Sequence, residues 1–486
     1  MLTERSDGVD CQWSNHTAHM AEEIANPATP PVSSETAAQP AQEAPLIRLD
    51  RADKLVFAAT SLITVLVYLC TLAPEVTLGD SGVLATSGAY AGVPGPPAYP
   101  AWVIYSWLFT KLIPFSNLAW RIAFGSACAT AVACGLIAQM ISFAGNLLLT
   151  TSPNYLRLET KDRQMLRIGC GCVAGLCLAF SGTVWREAVI VSTWSFGLLI
   201  FTAILWFLTR CCFGASRCRW LYAALFLFGV LLTNNQEMLV SLPGFICLLL
   251  LRDPRLGRDV GFCALPLAAL LMANSSMRVI PGLDYLLFAN WPLTGAFAAG
   301  FLMVIIAILF TRSSSVLWKP ALIGCLCLTC GWLFYLYPAI ASMSTPPVNW
   351  GYPRNFEGFQ WMFMRGQYEA FRSTLSPEHY IRQVFGILKM GGGDFGWLGS
   401  VVALIPLGLL LQPAQHARRW LLGLVAIEVC VSLAVVGMLN PDADRQTWNL
   451  MQAHFGPALT IVAVFMGIGL MQIGVMVARR ATRLSA

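Results

Sequence analysis

The stretch TLGDSGVLATSGAYAGVPGPPAYP, residues 77–100, follows the first long apolar run of the chain, 55–73. It places a carboxylate, Asp80, just past a segment long enough to cross a bilayer and surrounds it with glycine and proline. A loop of such small and rigid residues leaves room for a bulky molecule to approach closely. The pattern predicts a membrane protein with polar chemistry at the end of its first span.

The composition of the whole chain is that of a membrane protein. Of the 486 residues, 57% are hydrophobic and only 12% are charged, and the mean hydropathy is +0.64. Such a chain is too apolar for an ordinary soluble domain, so we predict an all-α polytopic membrane protein. The net charge of +6 suits anionic lipid phosphates. We therefore expect membrane lipids as partners and no nucleic acid.

The N-terminal residues differ from the rest in composition. The sequence NPATPPVSSETAAQPAQEAP, residues 26–45, lacks the apolar side chains that would offset the loss of chain entropy on folding. We predict a disordered tail over 1–50 and a transmembrane domain over 51–486. No apolar signal region precedes the first span, so that span is expected to act as its own signal and to leave the tail in the cytoplasm.

The segment 98–114, AYPAWVIYSWLFTKLIP, decides the predicted topology, because it is apolar but short and flanked by proline. If it does not cross, basic loops such as 157–167 and 252–258 all lie on one side, as cytoplasmic loops do. We therefore predict about twelve spans with both termini cytoplasmic. The segment 98–114 is expected to lie in the interface or to be re-entrant, and the main outer loops are 74–120 and 342–396.

The end of the long outer loop has a pattern of its own. The sequence SPEHYIRQVFGILKM, residues 376–390, begins with Ser and Pro in the order typical of a helix start and continues as an amphipathic run. Three glycines follow at 391–393. We predict an interfacial helix that ends at a glycine hinge.

Asp80 is the first candidate for chemistry. A carboxylate near the end of a span can act as a general base, particularly where burial raises its pKa. Alternatively, Asp80 is the N-cap of a short helix, SGVLATSGAYAG, and its side chain accepts hydrogen bonds from the first amides of that helix. The two interpretations are compatible, because a capping carboxylate can also face a cavity.

A second pair of charges, Arg186 and Glu187, lies in VWREAV at the predicted outer end of a span. The planar guanidinium of Arg186 could bind a phosphate, and Glu187 could tune it or bind an acceptor. The alternative is an arginine that snorkels beside an interfacial tryptophan, Trp185.

The sequence NNQE, residues 234–237, interrupts two apolar runs. A tight turn explains Asn234 and Asn235. Only Glu237 is retained as a weak candidate for a functional role.

The long outer loop combines aromatic residues with arginine. In PPVNWGYPRNFEGFQWMFMRGQYEAF, residues 346–371, we select Trp350, Tyr352, Arg354 and Arg365 as candidates for binding a glycolipid headgroup. Aromatic rings can stack on sugars, and arginine binds phosphate. A plain interfacial belt uses the same residue types, but Gly, Pro and Asn interrupt any simple helical belt here.

The last predicted outer loop, NPDADRQTWNLMQAHF, holds Asp442, Asp444 and Arg445. Two acids one residue apart could bind a divalent cation, although an exposed turn predicts them equally well. We favour the turn for Asp442 and retain Arg445 as a candidate phosphate ligand. His454 at the end of this loop is more typical of a structural residue.

The order of these stretches resembles a known family. TLAPEVTLGDSGVLATSGAYAGVPGPPAYPAWVIYSWLF, SGTVWREAVIVSTWSFGLL and DADRQTWNLMQAHFGPALTIVAVFMGIGL are similar to the protein O-mannosyltransferase-like membrane family, which is widespread in bacteria. The similarity runs over most of residues 55–475, and the first stretch is the most specific. This chain departs from the family at one point. The family usually has the sequence His-Pro-Pro-Gly-Tyr-Pro where residues 95–100 of this chain are Gly-Pro-Pro-Ala-Tyr-Pro, so Gly95 stands in place of the His.

The resemblance implies a GT-C-like glycosyltransferase fold with an acidic catalytic base in the first outer loop, at the position of Asp80. It also implies a polyprenyl-phosphate-linked sugar as donor and an inverted glycosidic bond on an outer-face acceptor, either a protein or a glycan. A lipid phosphate leaves with its charge already in place, so no metal is required, although a divalent cation could take part. The location implied is the inner membrane of a bacterium.

The favoured hypothesis is therefore a glycosyltransferase that transfers a sugar such as mannose. A different class remains open, a transporter or flippase of a lipid-linked sugar, with Asp80 as its coupling carboxylate. Transporters place ionisable groups near the bilayer midplane, whereas the charges selected here lie at span ends. A third hypothesis, a structural scaffold, predicts that Asp80→Asn leaves function intact.

Overall fold

The protein is seen in a computed structural model that describes residues 49–150, 153–213, 217–261, 309, 318–363, 376–411, 415–441 and 444–484. These residues belong to one compact unit, Pro45–Ala486. The predicted tail 1–50 lies outside the described residues except for Leu49 and Asp50. Its disorder stays a prediction.

Helices make up the first half of the described chain. They are α1 (Arg51–Thr71), α2 (Ser81–Tyr90), α3 (Pro100–Leu112), α4 (Leu118–Leu149), α5 (Pro153–Leu156), α6 (Thr160–Ala179), α7 (Gly182–Ala188), α8 (Trp194–Phe213), α9 (Arg217–Asn234) and α10 (Leu242–Arg252). A 3₁₀ segment, Gln236–Ser241, joins α9 to α10, and residues 254–261 are also helical.

The second half is built in the same way. Its helices are α11 (Trp318–Trp332), α12 (Leu336–Met343), α13 (Phe356–Phe363), α14 (Pro377–Leu404), α15 (Gln415–Val429), α16 (Val435–Leu439), α17 (Arg445–Met451) and α18 (Gly456–Leu484). Short 3₁₀ or π segments connect several of them, at Leu333–Tyr335, Ile405–Leu411, Cys430–Ala434 and Gln452–Phe455. Within the described ranges, extended pairing is limited to an isolated bridge between Val93 and Asn349.

The all-α polytopic architecture predicted from the sequence is confirmed. By length and composition, seven described helical segments can cross a membrane, or eight if the bent pair α6 and α7 forms one span. The predicted count of about twelve is not tested, because two of the predicted spans, 260–275 and 294–311, fall almost wholly outside the described residues. That count stays a prediction.

α4 and α8 form the centre of the bundle. In the most apolar stretch of 18 residues in α4, 83% of the residues are buried, and in that of α8, 78% are buried. For α1 and for the segments Lys319–Met343 and Pro377–Leu410 the value is 22%. Apolar helices that expose so much side-chain surface face lipid in a membrane protein, so these three lie at the periphery.

The segment predicted not to cross is short in the structure. α3 has 13 residues, which at 1.5 Å per residue cover about 20 Å, less than the hydrocarbon thickness of a bilayer. Its start is fixed by Tyr99, whose backbone is left-handed with φ 44°, and by Pro100 in the first turn. The placement of 98–114 in the interface or as a re-entrant segment stays a prediction.

The predicted glycine hinge at 391–393 is wrong. Ser376 does cap α14 by accepting a hydrogen bond from the amide of His379, as the sequence predicts, but the helix passes through these three glycines without a break. Its break is at Gly396, with φ 68° and ψ 156°. Glycine is permissive and accepts helical angles when its neighbours pack well, so a run of glycines does not by itself end a helix. The predicted interfacial helix is thus the first part of a longer apolar segment.

Candidate active site

Asp80 stands at the N-cap position of α2, but its side chain makes no capping hydrogen bond. Its backbone carbonyl accepts the first helical bond, from the amide of Leu84 at 2.9 Å. The preceding residue, Gly79, has φ 78°, a left-handed conformation that favours glycine and turns the chain sharply into the helix. The capping alternative is therefore not realised by the side chain. The carboxylate is exposed and lines a cavity.

This cavity, here named the carboxylate cavity, has a volume of about 360 Å³. Residues from separate loops and helix ends line it: Asp80 before α2, Glu187 on α7, Ser192 and Trp194 after α7, Asn234 at the end of α9, Asn235 and Glu237 just beyond it, and His454 after α17. These loops are among those that the charge pattern assigns to one side of the membrane. Their convergence on one cavity places them at one end of the helix bundle.

Glu187 is held in place by its neighbours. Its Oε2 accepts a hydrogen bond from Ser192 Oγ at 2.7 Å, and its Oε1 is 3.3 Å from Arg186 Nε. The side chain of Glu187 is 16% exposed and that of Arg186 is 42% exposed. Both oxygens of Glu187 therefore have a partner, whereas the Asp80 side chain makes no capping hydrogen bond. Of these two acids, Glu187 has the more restricted side chain.

The N-terminus of α7, the helix that carries Arg186 and Glu187, is held in place by hydrogen bonds. α7 turns away from α6 by 69°, and the Ser181 side chain caps it. Asp394, from the middle of α14, accepts hydrogen bonds from the amide of Thr183 at 3.0 Å and from its hydroxyl at 2.8 Å. A carboxylate at a helix N-terminus is favoured by the amides there. Asp394 was not selected from the sequence.

A second cavity adjoins the first and is here named the arginine cavity. Its volume is about 520 Å³, and Arg186 and Arg445 both line it. The two cavities share Leu78, Glu187, Ile190 and Leu450 as lining residues, which makes them neighbours. Arg186 Nη2 also donates to the carbonyl of Asn449 at 3.0 Å. Two arginines selected separately from the sequence therefore meet in one place.

Arg445 begins α17, and Asp444 caps that helix. The Asp444 side chain accepts hydrogen bonds from the amide of Thr447 at 2.9 Å and from the hydroxyl of the same residue. These bonds hold the pKa of Asp444 below its ordinary value, because they stabilise the charged form. Asp442 lies outside the described residues. In the part of the chain that the structure describes, no group of three His, Cys, Asp or Glu side chains is placed to hold a metal ion.

The turn at 234–237 contributes more than the sequence indicates. Asn234, Asn235 and Glu237 are all buried, and all three line the carboxylate cavity. From the sequence, a turn alone explains the two asparagines, because local sequence does not show that the turn folds inward.

Trp194 and His454 are further residues that the sequence did not identify as functional. Their rings have centroids 4.2 Å apart, and both residues line the carboxylate cavity. They are 260 residues apart in the chain, so no local pattern links them. The structural role expected for His454 stays a prediction.

The aromatic loop lies outside both cavities, and its predicted role in binding a glycolipid headgroup stays a prediction. Trp350 donates its amide to the carbonyl of Val93 at 2.9 Å, so this loop docks on the loop that leads to Tyr99. Trp350 and Tyr352 are 44% and 60% exposed, and Arg354 is also exposed. None of these three is among the lining residues of the two cavities. Arg365 lies outside the described residues, so its predicted role is untested.

Comparison with known proteins agrees with the predicted resemblance. Residues 80–257 match the family described as protein O-mannosyl-transferase TMEM260 N-terminal domain. The matched range begins at Asp80 and includes Glu187 and the Asn234 turn. The resemblance to the protein O-mannosyltransferase-like family is confirmed over this range.

A solved structure is also similar, the crystal structure of ArnT from Cupriavidus metallidurans bound to undecaprenyl phosphate. The sequences are 14% identical, and the match covers 88% of this chain and 78% of the other. The TM-score is 0.28, which is too low to establish a shared fold.

Proposed function

We propose that this protein is a membrane glycosyltransferase that moves a sugar, mannose in the first instance, from a polyprenyl-phosphate donor to an acceptor hydroxyl on the outer face of the membrane. The observation that carries the proposal is the pair of adjoining cavities. One holds an exposed carboxylate, Asp80, and the other holds two cationic groups, Arg186 and Arg445. A phosphate-linked sugar suits this arrangement, because its anionic phosphate is attracted by the two arginines and its neutral ring is not repelled by the carboxylate.

In this proposal the sugar occupies the carboxylate cavity and its phosphate lies in the arginine cavity. Guanidinium groups bind phosphate through charge-assisted hydrogen bonds, and these strengthen as negative charge develops on the leaving group. The boundary between the cavities, near Glu187 and Leu78, is then the position of the anomeric carbon.

Asp80 acts as the general base. It takes the proton from the acceptor hydroxyl while that oxygen forms a bond to the anomeric carbon and the bond from this carbon to the phosphate oxygen breaks. The lipid phosphate leaves with the bonding electrons. A single displacement of this kind inverts the configuration of the anomeric carbon. General bases contribute about 10²- to 10⁴-fold to such rates.

Glu187 is less suited to this role than Asp80. Its oxygens already interact with Ser192 Oγ and Arg186 Nε, so they are less free to reach an acceptor hydroxyl. Glu187 is better placed to orient Arg186 toward the phosphate. We expect no obligatory metal in the reaction, and a divalent cation remains compatible with it.

The position of the charges favours an enzyme over a transporter. A coupling carboxylate in a transporter lies near the middle of the membrane, between spans. Asp80 instead follows the full 21 residues of α1, which extend about 32 Å at 1.5 Å per residue. It therefore lies beyond the end of that helix.

The test uses the full chain purified into liposomes with a radiolabelled polyprenyl-phosphate mannose. Transfer of label to water-soluble acceptors, with an inverted glycosidic bond in the product, is the expected result. In parallel, movement of labelled donor from one leaflet to the other is measured in vesicles without acceptor. Leaflet movement without transfer, across a panel of donor sugars, would identify a flippase and would overturn the proposal.

A further inference from the structure

We propose that Asn234, Asn235 and Glu237 form the subsite that recognises the hydroxyl groups of the donor sugar. This inference rests on the proposed function for the identity of the donor. It assigns substrate recognition to a turn for which the sequence offers only a structural explanation.

The turn is buried to an unusual degree for polar residues. Asn234, Asn235 and Glu237 are 1%, 3% and 5% exposed, although they stand where α9 ends and a 3₁₀ segment begins. Polar turn residues ordinarily face water, because burial removes their hydration. Here they face the carboxylate cavity instead.

The hydrogen bonds within the turn leave one group unmatched. Asn235 Nδ2 donates to Glu237 Oε1 at 2.8 Å, and Asn234 Nδ2 is 3.5 Å from Asn235 Oδ1. Asn234 Oδ1 is buried and has no hydrogen-bond partner in the described part of the chain. Buried polar groups are nearly always paired, so an unpaired one at the wall of a cavity points to a partner that enters the cavity. A hydroxyl can both donate and accept, and it therefore pairs with either atom of an amide.

The subsite is rigidly built. A side chain at Gly197 of α8 would place its Cβ only 2.3 Å from Asn235 Oδ1, so glycine is needed for α8 to approach this closely. Asn235 is consequently confined between α8 and Glu237. A fixed amide is suited to distinguish one hydroxyl orientation from another, because a misplaced hydroxyl leaves a buried polar group unpaired.

Charge indicates which part of the donor this wall receives. Glu237 contributes a carboxylate, which repels a phosphate, and the adjoining cavity supplies the two arginines that attract one. Trp194 lines the carboxylate cavity, as Glu237 does, and offers an aromatic surface to the less polar face of a sugar ring. The neutral, hydroxyl-rich end of the donor therefore fits the Asn234 side.

The test measures equilibrium binding of labelled polyprenyl-phosphate sugars to the full chain in detergent, and transfer rates in parallel. The probes are the mannose donor and its glucose epimer. The variants are Asn234→Ala and Glu237→Gln. The matched control is Gln236→Ala, because Gln236 belongs to the same turn but donates to Tyr335 Oη at 2.7 Å, away from the cavity. Thermal unfolding confirms that each variant is folded. If Asn234→Ala does not fold, Asn234→Ser takes its place in the experiment.

We expect wild type to prefer one epimer, and Asn234→Ala to lose about tenfold in affinity for that epimer, which corresponds to one hydrogen bond, with little change for the other. Gln236→Ala should keep the preference. If the folded Asn234 and Glu237 variants keep the affinity and the preference of wild type, the subsite is wrong, even if wild type transfers sugar. If Asn234 controls the preference but wild type transfers nothing, the subsite stands and the proposed transfer reaction fails.

Discussion

Asp394 accepts two hydrogen bonds from Thr183, one from its amide at 3.0 Å and one from its hydroxyl at 2.8 Å. The two residues are 211 positions apart, and their contact fixes α7 against α14. Because α7 carries Arg186 and Glu187, a residue outside both cavities determines where these side chains point.

This contact predicts a positioning role for Asp394. Asp394→Ala should lower kcat/KM by about 10- to 100-fold, since small displacements of catalytic groups have effects of this size. Asp394→Asn, which can still accept the amide hydrogen bond, should lose less. Transfer kinetics on folded protein are the measurement. Glu378→Gln on the exposed start of the same helix is the control, and equal rates for wild type and Asp394→Ala would contradict the role.

Arg186 and Arg445 should act on the donor phosphate. Replacing either with Ala should raise KM for the donor by about tenfold or more, because a charge-assisted hydrogen bond is lost, and Lys should restore part of it. The control is Arg382→Ala, which breaks only the exposed pair with Glu378. Donor titrations at fixed acceptor measure the effect. Unchanged KM and kcat in both variants would remove the arginine cavity from the account.

Asp53, at the end of α1 opposite to Asp80, should contribute to the stability of the protein but not to its activity. Asp53 is buried, accepts from Ser142 Oγ at 2.7 Å, and pairs with Arg167 at 2.6 Å, which joins α1, α4 and α6. Asp53→Ala leaves a buried arginine without this partner and should lower the free energy of unfolding by about 3–5 kcal/mol. Activity per folded molecule should be unchanged. Chemical denaturation in detergent measures the first quantity, and a loss below about 1 kcal/mol would show that the pair is poorly formed.

The glycines of the first loop should differ in their tolerance of side chains. Gly79→Ala should lower the free energy of unfolding by about 1–2 kcal/mol, because its φ of 78° is unfavourable for alanine. A Cβ at Gly95 meets no atom within 4 Å, so Gly95→Ala and Gly95→His should change stability by less than about 0.5 kcal/mol. Thermal and denaturant unfolding compare the variants directly. Equal losses at both positions would contradict the loop conformation described here.

Much of the architecture could be predicted from the sequence, because the start, length and hydrophobicity of a membrane helix depend mainly on residues that are close together in the chain. The apolar run of α1, the capping Ser376 of α14 and the shortness of α3 all depend on neighbouring residues in the chain. The sequence predicts the break in α14 at the three glycines 391–393, whereas the structure has it at Gly396, whose φ is positive. Whether a glycine leaves the helix depends on tertiary packing, which local sequence does not record.

The candidate site was predictable only in part. Asp80, Arg186, Glu187 and Arg445 stand out as charges at the ends of apolar runs, and the structure brings them to adjoining cavities. Asn234, Trp194 and His454 reach the same place through contacts between distant segments. Their residue types are common in turns and interfaces, so sequence alone could not separate function from structure. Trp350, Tyr352 and Arg354 lie outside both cavities, and their predicted role in headgroup binding stays a prediction.

The most direct test of the central claim compares transfer rates of wild type, Asp80→Asn and Asp162→Asn at matched amounts of folded protein with saturating polyprenyl-phosphate mannose. Asp162 is an exposed acid in the first turn of α6, at the end opposite to α7, and serves as the matched control. We predict that Asp80→Asn loses about 10²- to 10⁴-fold in kcat while donor binding and Asp162→Asn activity remain at the wild-type level. A wild-type rate for Asp80→Asn would contradict the assignment of Asp80 as the catalytic base.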